Sequence, residues 1–129
     1  MATSQGRKWQ DVEYSPNACF INVSLMGHNH NEPVGDSIYL SHKVWNVIEN
    51  NVNNFNPDVM LISGGFDAAY GDDEGFAMTP HGYYEMTGRC MSIMRNKPVV
   101  MVLEGGYKPD IIASCICAVV TALLRKPFE

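Results

Sequence analysis

Two short stretches carry residues whose type and spacing suit chemistry. Ser63-Gly64-Gly65-Phe66-Asp67 follows the apolar run Val59-Met60-Leu61-Ile62, and Glu104-Gly105-Gly106-Tyr107 follows Val99-Val100-Met101-Val102-Leu103. Each is an apolar run, a Gly-Gly break and a polar side chain at the break. A single carboxylate in such a place can be a metal ligand, a general base or an Asx-turn residue. A tyrosine there can donate a hydrogen bond to a developing oxyanion, or can pack on the helix that follows. The glycines let backbone approach a ligand closely, and Phe66 reads as a packing residue or a pocket wall. A dinucleotide loop is a poor alternative, because Gly105-Gly106 is followed by Tyr107-Lys108-Pro109 and the third glycine of that fingerprint is missing. In an open parallel sheet, ligands bind beyond the carboxyl ends of the strands. Asp67 and Tyr107 are therefore candidates for one shared site.

The other chemistry-bearing residues are weaker candidates. His28 and His30 flank Asn29 in a polar loop, a poor metal pair with no cysteine near in sequence. His42 and His81 read as helix-surface or near-cap residues. Asp72, Asp73 and Glu74 read as a solvated acidic loop rather than a second metal site. The cysteines, Cys19, Cys90, Cys115 and Cys117, form no Cys-x-x-Cys pair and read as reduced core thiols. Cys115 and Cys117, two apart on a helix, should point to different faces.

The elements that must position Asp67 and Tyr107 follow from periodicity. Residues 1–17 are polar, without a clear period, and read as a disordered start or as the remnant of a longer upstream region. Residues 18–129 form the expected domain. Ala18 to Leu25 reads as a strand. Asp36 can cap a helix in which Leu40, Val44, Ile48, Val52 and Phe55 share one face over about five turns. Val59 to Ile62 is continuously apolar, as expected of a strand covered on both faces. Thr79-Pro80 starts a helix with Tyr83, Met86, Cys90 and Met94 on one face. Val99 to Leu103 is the third strand. Pro109 opens a last helix, apolar nearly all round its centre and so expected to be deeply packed. The alternation of strand and helix predicts an α/β fold, a parallel sheet with flanking helices, and the three strands are expected to lie adjacent or nearly so.

Composition bounds the function. The chain has 129 residues, 46% of them hydrophobic, enough for one modest domain with a packed core. Nine Lys and Arg face fourteen Asp and Glu, a formal charge of -5. That argues against binding nucleic acid through a basic surface, though a basic protein tail remains a compatible substrate. No run approaches the roughly 20 apolar residues of a membrane span, and residues 1–17 lack an apolar segment of signal-peptide length.

Taken as a spaced set, Asn56-Pro57-Asp58-Val59-Met60-Leu61-Ile62-Ser63-Gly64-Gly65-Phe66-Asp67-Ala68-Ala69, Gly71-Asp72, Met78-Thr79-Pro80-His81-Gly82-Tyr83 and Leu103-Glu104-Gly105-Gly106-Tyr107 resemble the C-terminal part of the zinc-dependent histone deacetylases. The Gly-Phe-Asp-Ala and Leu-Glu-Gly-Gly-Tyr forms are similar to class II members. The resemblance implies a partial arginase-deacetylase fold and hydrolysis of the acetyl amide of acetyl-lysine, with zinc as cofactor. Its expected substrates are protein tails such as histones. It also implies a nuclear or cytoplasmic location and possible corepressor partners, with no direct nucleic acid and no membrane. By that resemblance Asp67 matches a zinc-binding aspartate. Tyr107 matches the tyrosine that hydrogen-bonds the amide oxygen as it becomes an oxyanion. Gly105 and Gly106, with Phe66, match the substrate channel.

The departures set a limit. The family's upstream Asp-x-His ligands and His-His pair have no match here. The chain reads as the last third of a deacetylase domain. Alone, it is expected to be inactive and to bind zinc weakly. The rival reading is a non-catalytic, truncated deacetylase-like protein that keeps the fold for interaction; a distant third is an unrelated α/β hydrolase with its own metal site.

Overall fold

Two strands of five residues, β3 (Met60–Gly64) and β4 (Val99–Leu103), lie parallel, with Met60 opposite Val99, Ile62 opposite Met101 and Gly64 opposite Leu103. The computed structural model that shows this describes residues 10–23, 34–74 and 76–129. Before β3 come β1 (Gln10–Tyr14), β2 (Cys19–Val23), α1 (Asp36–Tyr39) and α2 (His42–Phe55); α3 (Pro80–Met94) joins β3 to β4, and α4 (Pro109–Leu123) follows. The α/β character, the parallel pair and its crossover helix are as the alternation predicts.

Three expectations are corrected. Residues 10–14 are not structureless: β1 pairs antiparallel with β2, from Gln10 opposite Val23 to Tyr14 opposite Cys19. That pairing takes β2 out of the parallel sheet; among the described residues the chain has two separate two-stranded sheets. The hairpin leans on α2 instead, where Tyr14 donates to the Asn51 side chain and its ring lies 6.2 Å from that of Phe55.

The expected five-turn helix is broken at Leu40-Ser41. Ser41 caps α2, its hydroxyl accepting from the Val44 amide at 3.4 Å, while Arg89 takes the Leu40 carbonyl at 2.9 Å. Asp36 caps nothing. Its carboxylate accepts from both the amide and the hydroxyl of Thr79, tying α1 to the start of α3. The apolar face of α2 holds as expected, with Val44 and Val52 buried, and it gains Trp45, whose indole donates to the Tyr39 carbonyl at 2.9 Å. The Arg89 guanidinium lies 5.4 Å above that ring.

The third correction concerns cover. Only one face of the parallel pair is packed. Along both strands partly buried residues alternate with exposed ones. Met101 packs against a core cluster made by Phe66 and Met78 of the β3–α3 connection with Tyr83 of α3 and Cys115 and Val119 of α4. Leu61 is 73% exposed and Val102 60%, so the opposite apolar face is bare. The α4 helix is likewise packed on one side only: Cys115, Ala118, Val119 and Ala122 are buried, whereas Val120 is exposed. Cys117 is exposed as well, so the cysteines are not all core thiols, although the two faces of the Cys115-Cys117 pair are as expected.

The helix ends follow their local chemistry. Thr79 caps α3 by accepting from the Gly82 amide at 3.1 Å with Pro80 in the first turn, and Arg95, at φ 50°, ends it. Pro109 stands in the first turn of α4.

Candidate functional site

Both Gly-Gly breaks stand at the carboxyl end of the parallel pair. Backbone pairing continues past the strands: the Glu104 amide donates to Gly64 at 2.9 Å, and the Phe66 amide donates to Gly105 at 3.1 Å. Ser63 donates to the Glu104 carboxylate across the same edge. The two breaks are therefore held side by side, and the residues just beyond them, Asp67 and Tyr107, share one end of the sheet.

Asp67 is half-buried between glycines. A Cβ on Gly105 would lie 3.2 Å from the Asp67 Cγ, and one on Gly65 would lie 2.8 Å from its Oδ1. Side chains at either position would crowd the carboxylate, so the glycines make room for it. Gly105 also has φ +106°, where other residues are strained. Gly106, at φ +117°, serves packing more than access: a Cβ there would come within 2.9 Å of Ile112 and 3.2 Å of Phe66.

Phe66 does not line an open wall. It is 2% exposed, its ring centroid 5.0 Å from that of Tyr83. The phenol of Tyr83 donates to the Gly65 carbonyl at 3.0 Å, so this buried pair supports the first break from beneath. Burial pushes the Tyr83 hydroxyl well above its ordinary pKa, and it stays a neutral donor. Burial, and next the nearby Asp67 charge, also raise the pKa of Tyr39. Burial pushes the thiols of Cys90 and Cys115 up to about 11, so neither is a ready nucleophile.

Tyr107 is 60% exposed at the second break. What fixes it is Asp72, which composition alone places in a solvated acidic loop. Asp72 is 6% exposed. Its Oδ2 accepts from the amides of Tyr107 at 2.9 Å and Lys108 at 3.0 Å, and its Oδ1 accepts from the Asp73 amide at 2.8 Å. The Tyr107 amide above all, then those of Asp73 and Lys108, hold its carboxyl below the usual carboxylate range against the opposing effect of burial. Asp73 and Glu74 do face solvent, Asp73 pairing with Lys108 at 3.1 Å. The signal for Asp72 was its place in the motif Gly71-Asp72; acidic neighbours hid it.

Among the described residues no group of three or more His, Cys, Asp or Glu could hold a metal ion. A catalytic zinc needs about three protein ligands, so these residues by themselves do not fit one. His28 and His30 lie outside the described residues. His42 and His81 are exposed on helices, as expected, and His81 is 3.6 Å from Glu85. Two clefts of about 560 and 510 Å³ lie elsewhere, and neither is lined by Asp67 or Tyr107. Among the described residues no helix is long and apolar enough to cross a membrane.

This arrangement can be set against known proteins. Residues 11–123 match the histone deacetylase domain. The chain belongs to the histone deacetylase family. It is 40% identical over 96 residues to histone deacetylase HDA1 of Candida albicans, covering 74% of this chain and 11% of that protein. It is 42% identical over 93 residues to histone deacetylase 18 of Arabidopsis thaliana, covering 70% of this chain and 13% of that one. Among solved structures it superposes on the histone deacetylase Clr3 with a TM-score of 0.67 at 37% identity, over 75% of this chain and 16% of that one. On the HDA15 HD domain the TM-score is 0.66 at 37% identity, over 75% of this chain and 28% of that one. The fold is that of part of a histone deacetylase domain, the arginase-deacetylase fold. The chain spans between 11 and 13% of the two relatives named, so it carries a minority of a deacetylase's residues.

Proposed function

We infer that this chain is the C-terminal portion of the catalytic domain of a class II-like, zinc-dependent lysine deacetylase. The observation that carries the reading is the seat of Asp67, a carboxylate laid against Gly105 at the carboxyl end of parallel strands, with Tyr107 two residues after that glycine. In this reading Asp67 is one zinc ligand, and Tyr107 donates its hydroxyl to the amide oxygen of acetyl-lysine as negative charge develops there. Gly105 gives the side chain of acetyl-lysine its close approach, while Gly106, packed on Ile112, and Phe66 support that channel from the core side. The family's remaining ligands and its proton-transfer pair have no match in this sequence, and in this reading a segment other than these 129 residues supplies them. Substrates are acetyl-lysine tails such as those of histones, in nucleus or cytoplasm.

The bare apolar face of β3 and β4 supports the same reading, since exposed apolar faces of this kind mark surfaces that other chain covers. It also favours a second one: a non-catalytic protein that uses the face to dock on a deacetylase or corepressor assembly.

A fluorogenic acetyl-lysine assay separates them. The 129-residue chain alone should be inactive and hold zinc weakly. Residues 18–126 grafted in place of the matching segment of the Candida relative should support turnover. There Asp67→Ala should abolish both zinc and activity, while Tyr107→Phe should lower kcat by about 10²–10³ with zinc retained. An inactive graft that still folds would favour the docking protein. Chelator-sensitive turnover by the chain alone, lost in Asp67→Ala, would overturn the fragment reading.

A further inference from the structure

We propose that Asp72 is the positioning residue of Tyr107, fixing through the backbone where the phenol hydroxyl stands; this rests on the functional reading above. The geometry is specific to that task. Tyr107 is mostly exposed, and its side chain has no hydrogen-bond partner among the described residues, so packing does not determine its place. The two glycines before it adopt left-handed φ values of +106° and +117°, a hinge that by itself would permit many directions. The restraint comes from across the fold. Asp72, 35 residues earlier, offers one oxygen to two consecutive amides, those of Tyr107 and Lys108, and so sets the orientation of both peptide planes.

Asp72 is in turn held from its own side. Its second oxygen accepts from the Asp73 amide, and its own amide donates to the Ala69 carbonyl at 3.1 Å. Ala69 is 1% exposed and belongs to the same core cluster as Phe66. Gly71, at φ +90°, makes the turn that swings the carboxylate inward. A continuous path therefore runs from the core, through Ala69 and Asp72, to the backbone of Tyr107. The segment that carries Asp67 and the segment that carries Tyr107 are locked together by it, and the separation of the two functional groups follows from that lock. Charge-assisted hydrogen bonds to a buried carboxylate are about twice as strong as neutral ones, which suits the one side-chain anchor on this stretch of backbone, between the Phe66–Gly105 bond before it and the first turn of α4 after it.

Two measurements test it. Amide hydrogen exchange on the 129-residue chain should show Tyr107 and Lys108 protected in the parent and exchanging at least several-fold faster in Asp72→Asn and Asp72→Ala, with the amides of α3 unchanged. In the active graft, Asp72→Asn should lower kcat by about tenfold to 10²-fold, the cost of a misplaced group, with KM and zinc content held and with no further loss when Tyr107 is already phenylalanine. Asp73→Asn, which removes only the neighbouring surface ion pair, should leave kcat unchanged. A purely structural Asp72 would instead reduce the folded fraction and leave kcat per zinc-loaded molecule intact, and that result overturns the proposal. Unprotected amides in the parent would overturn it as well. A parent graft that is folded, protected at Tyr107 and inactive would sink the deacetylase reading and the positioning role with it.

Discussion

The two Gly-Gly turns look alike in sequence and are held in opposite ways. The first, Gly64-Gly65, is fixed from beneath by hydrophobic burial: Phe66 is 2% exposed, Ala69 1%, and Tyr83 donates to the Gly65 carbonyl from the core. The second, Gly105-Gly106, leads to a tyrosine that is 60% exposed and is fixed from the side by one ionised carboxylate. The residue after the first pair is a phenylalanine that anchors, so the next residue, Asp67, is presented on firm backbone. The residue after the second pair, Tyr107, is the one the proposed function uses, and the carboxylate that holds its amide comes from 35 residues earlier in the chain. The same local motif thus gives a turn that depends on packing and a turn that depends on charge.

Breaking the first turn should cost most. Phe66→Ala removes a fully buried ring and should destabilise the fold by about 3–5 kcal/mol, a large part of the roughly 5–15 kcal/mol available to a domain. Denaturant melts of the wild type and variant would measure it. A loss under about 1 kcal/mol would mean that the core does not hold this turn.

The glycines sharpen the contrast. At Gly106 a Cβ would meet Ile112 at 2.9 Å, and the residue sits at φ +117°. Gly106→Ala should therefore cost about 1–3 kcal/mol, the range for backbone held in a sparsely populated region. Gly65 has no positive φ, and its nearest neighbour would be the mobile end of the Asp67 side chain at 2.8 Å. Gly65→Ala should thus displace Asp67 and leave stability closer to that of the wild type. Equal losses at the two positions would show that left-handed backbone is not what distinguishes the second turn.

What the sequence made legible follows the same division. Local signals held: Thr79-Pro80 begins α3, Pro109 begins α4, and the apolar runs are the parallel strands. Contacts between distant residues did not. Asp36 reads as a helix cap by position, yet its carboxylate goes to Thr79, 43 residues later. Asp72 reads as solvent-facing because Asp73 and Glu74 are, yet a carboxylate that finds three amides can be buried. The polar residues 10–14 hide a strand because an edge hairpin buries little and shows weak alternation. The apolar runs suggested cover on both faces, and the bare face of β3 and β4 shows that such a run reports what could be buried rather than what is. For the candidate site, Asp67, Gly105 and Tyr107 were placed at one sheet end by pattern alone, while the support from Tyr83 and Asp72 needed the fold.

Acid should separate the turns with a smaller effect. The pKa of Asp72 is lowered in the folded chain, so its contribution is present above the unfolded value, roughly 3.9, and is lost as pH falls through the folded one. As pH falls through that lowered folded value, the amides of Tyr107 and Lys108 should lose protection while that of Phe66, bonded to the Gly105 carbonyl, keeps more of its own. In Asp72→Asn this selective loosening should vanish. Parallel loss of protection at both turns in the wild type would mean that they open as one unit and that the carboxylate is not a separate anchor.

The smallest effect on stability is expected at Tyr107, and that smallness is informative. Its side chain is 60% exposed and its backbone amide, not its phenol, makes the bond to Asp72. Tyr107→Phe keeps the amide and the ring and removes only an oxygen that meets solvent. The change in stability should fall within about 0.5 kcal/mol, as for surface substitutions away from structural features. Phe66→Ala, at the first turn, alters the fold by several times that amount. A hydroxyl with little to do in folding fits the oxyanion role proposed for Tyr107, two residues beyond the glycine that abuts the Asp67 carboxylate. Thermal melts of Tyr107→Phe alongside the wild type would decide it. A loss above about 1 kcal/mol would place the hydroxyl in the fold's own hydrogen bonding, and the second turn would then be a structural one like the first.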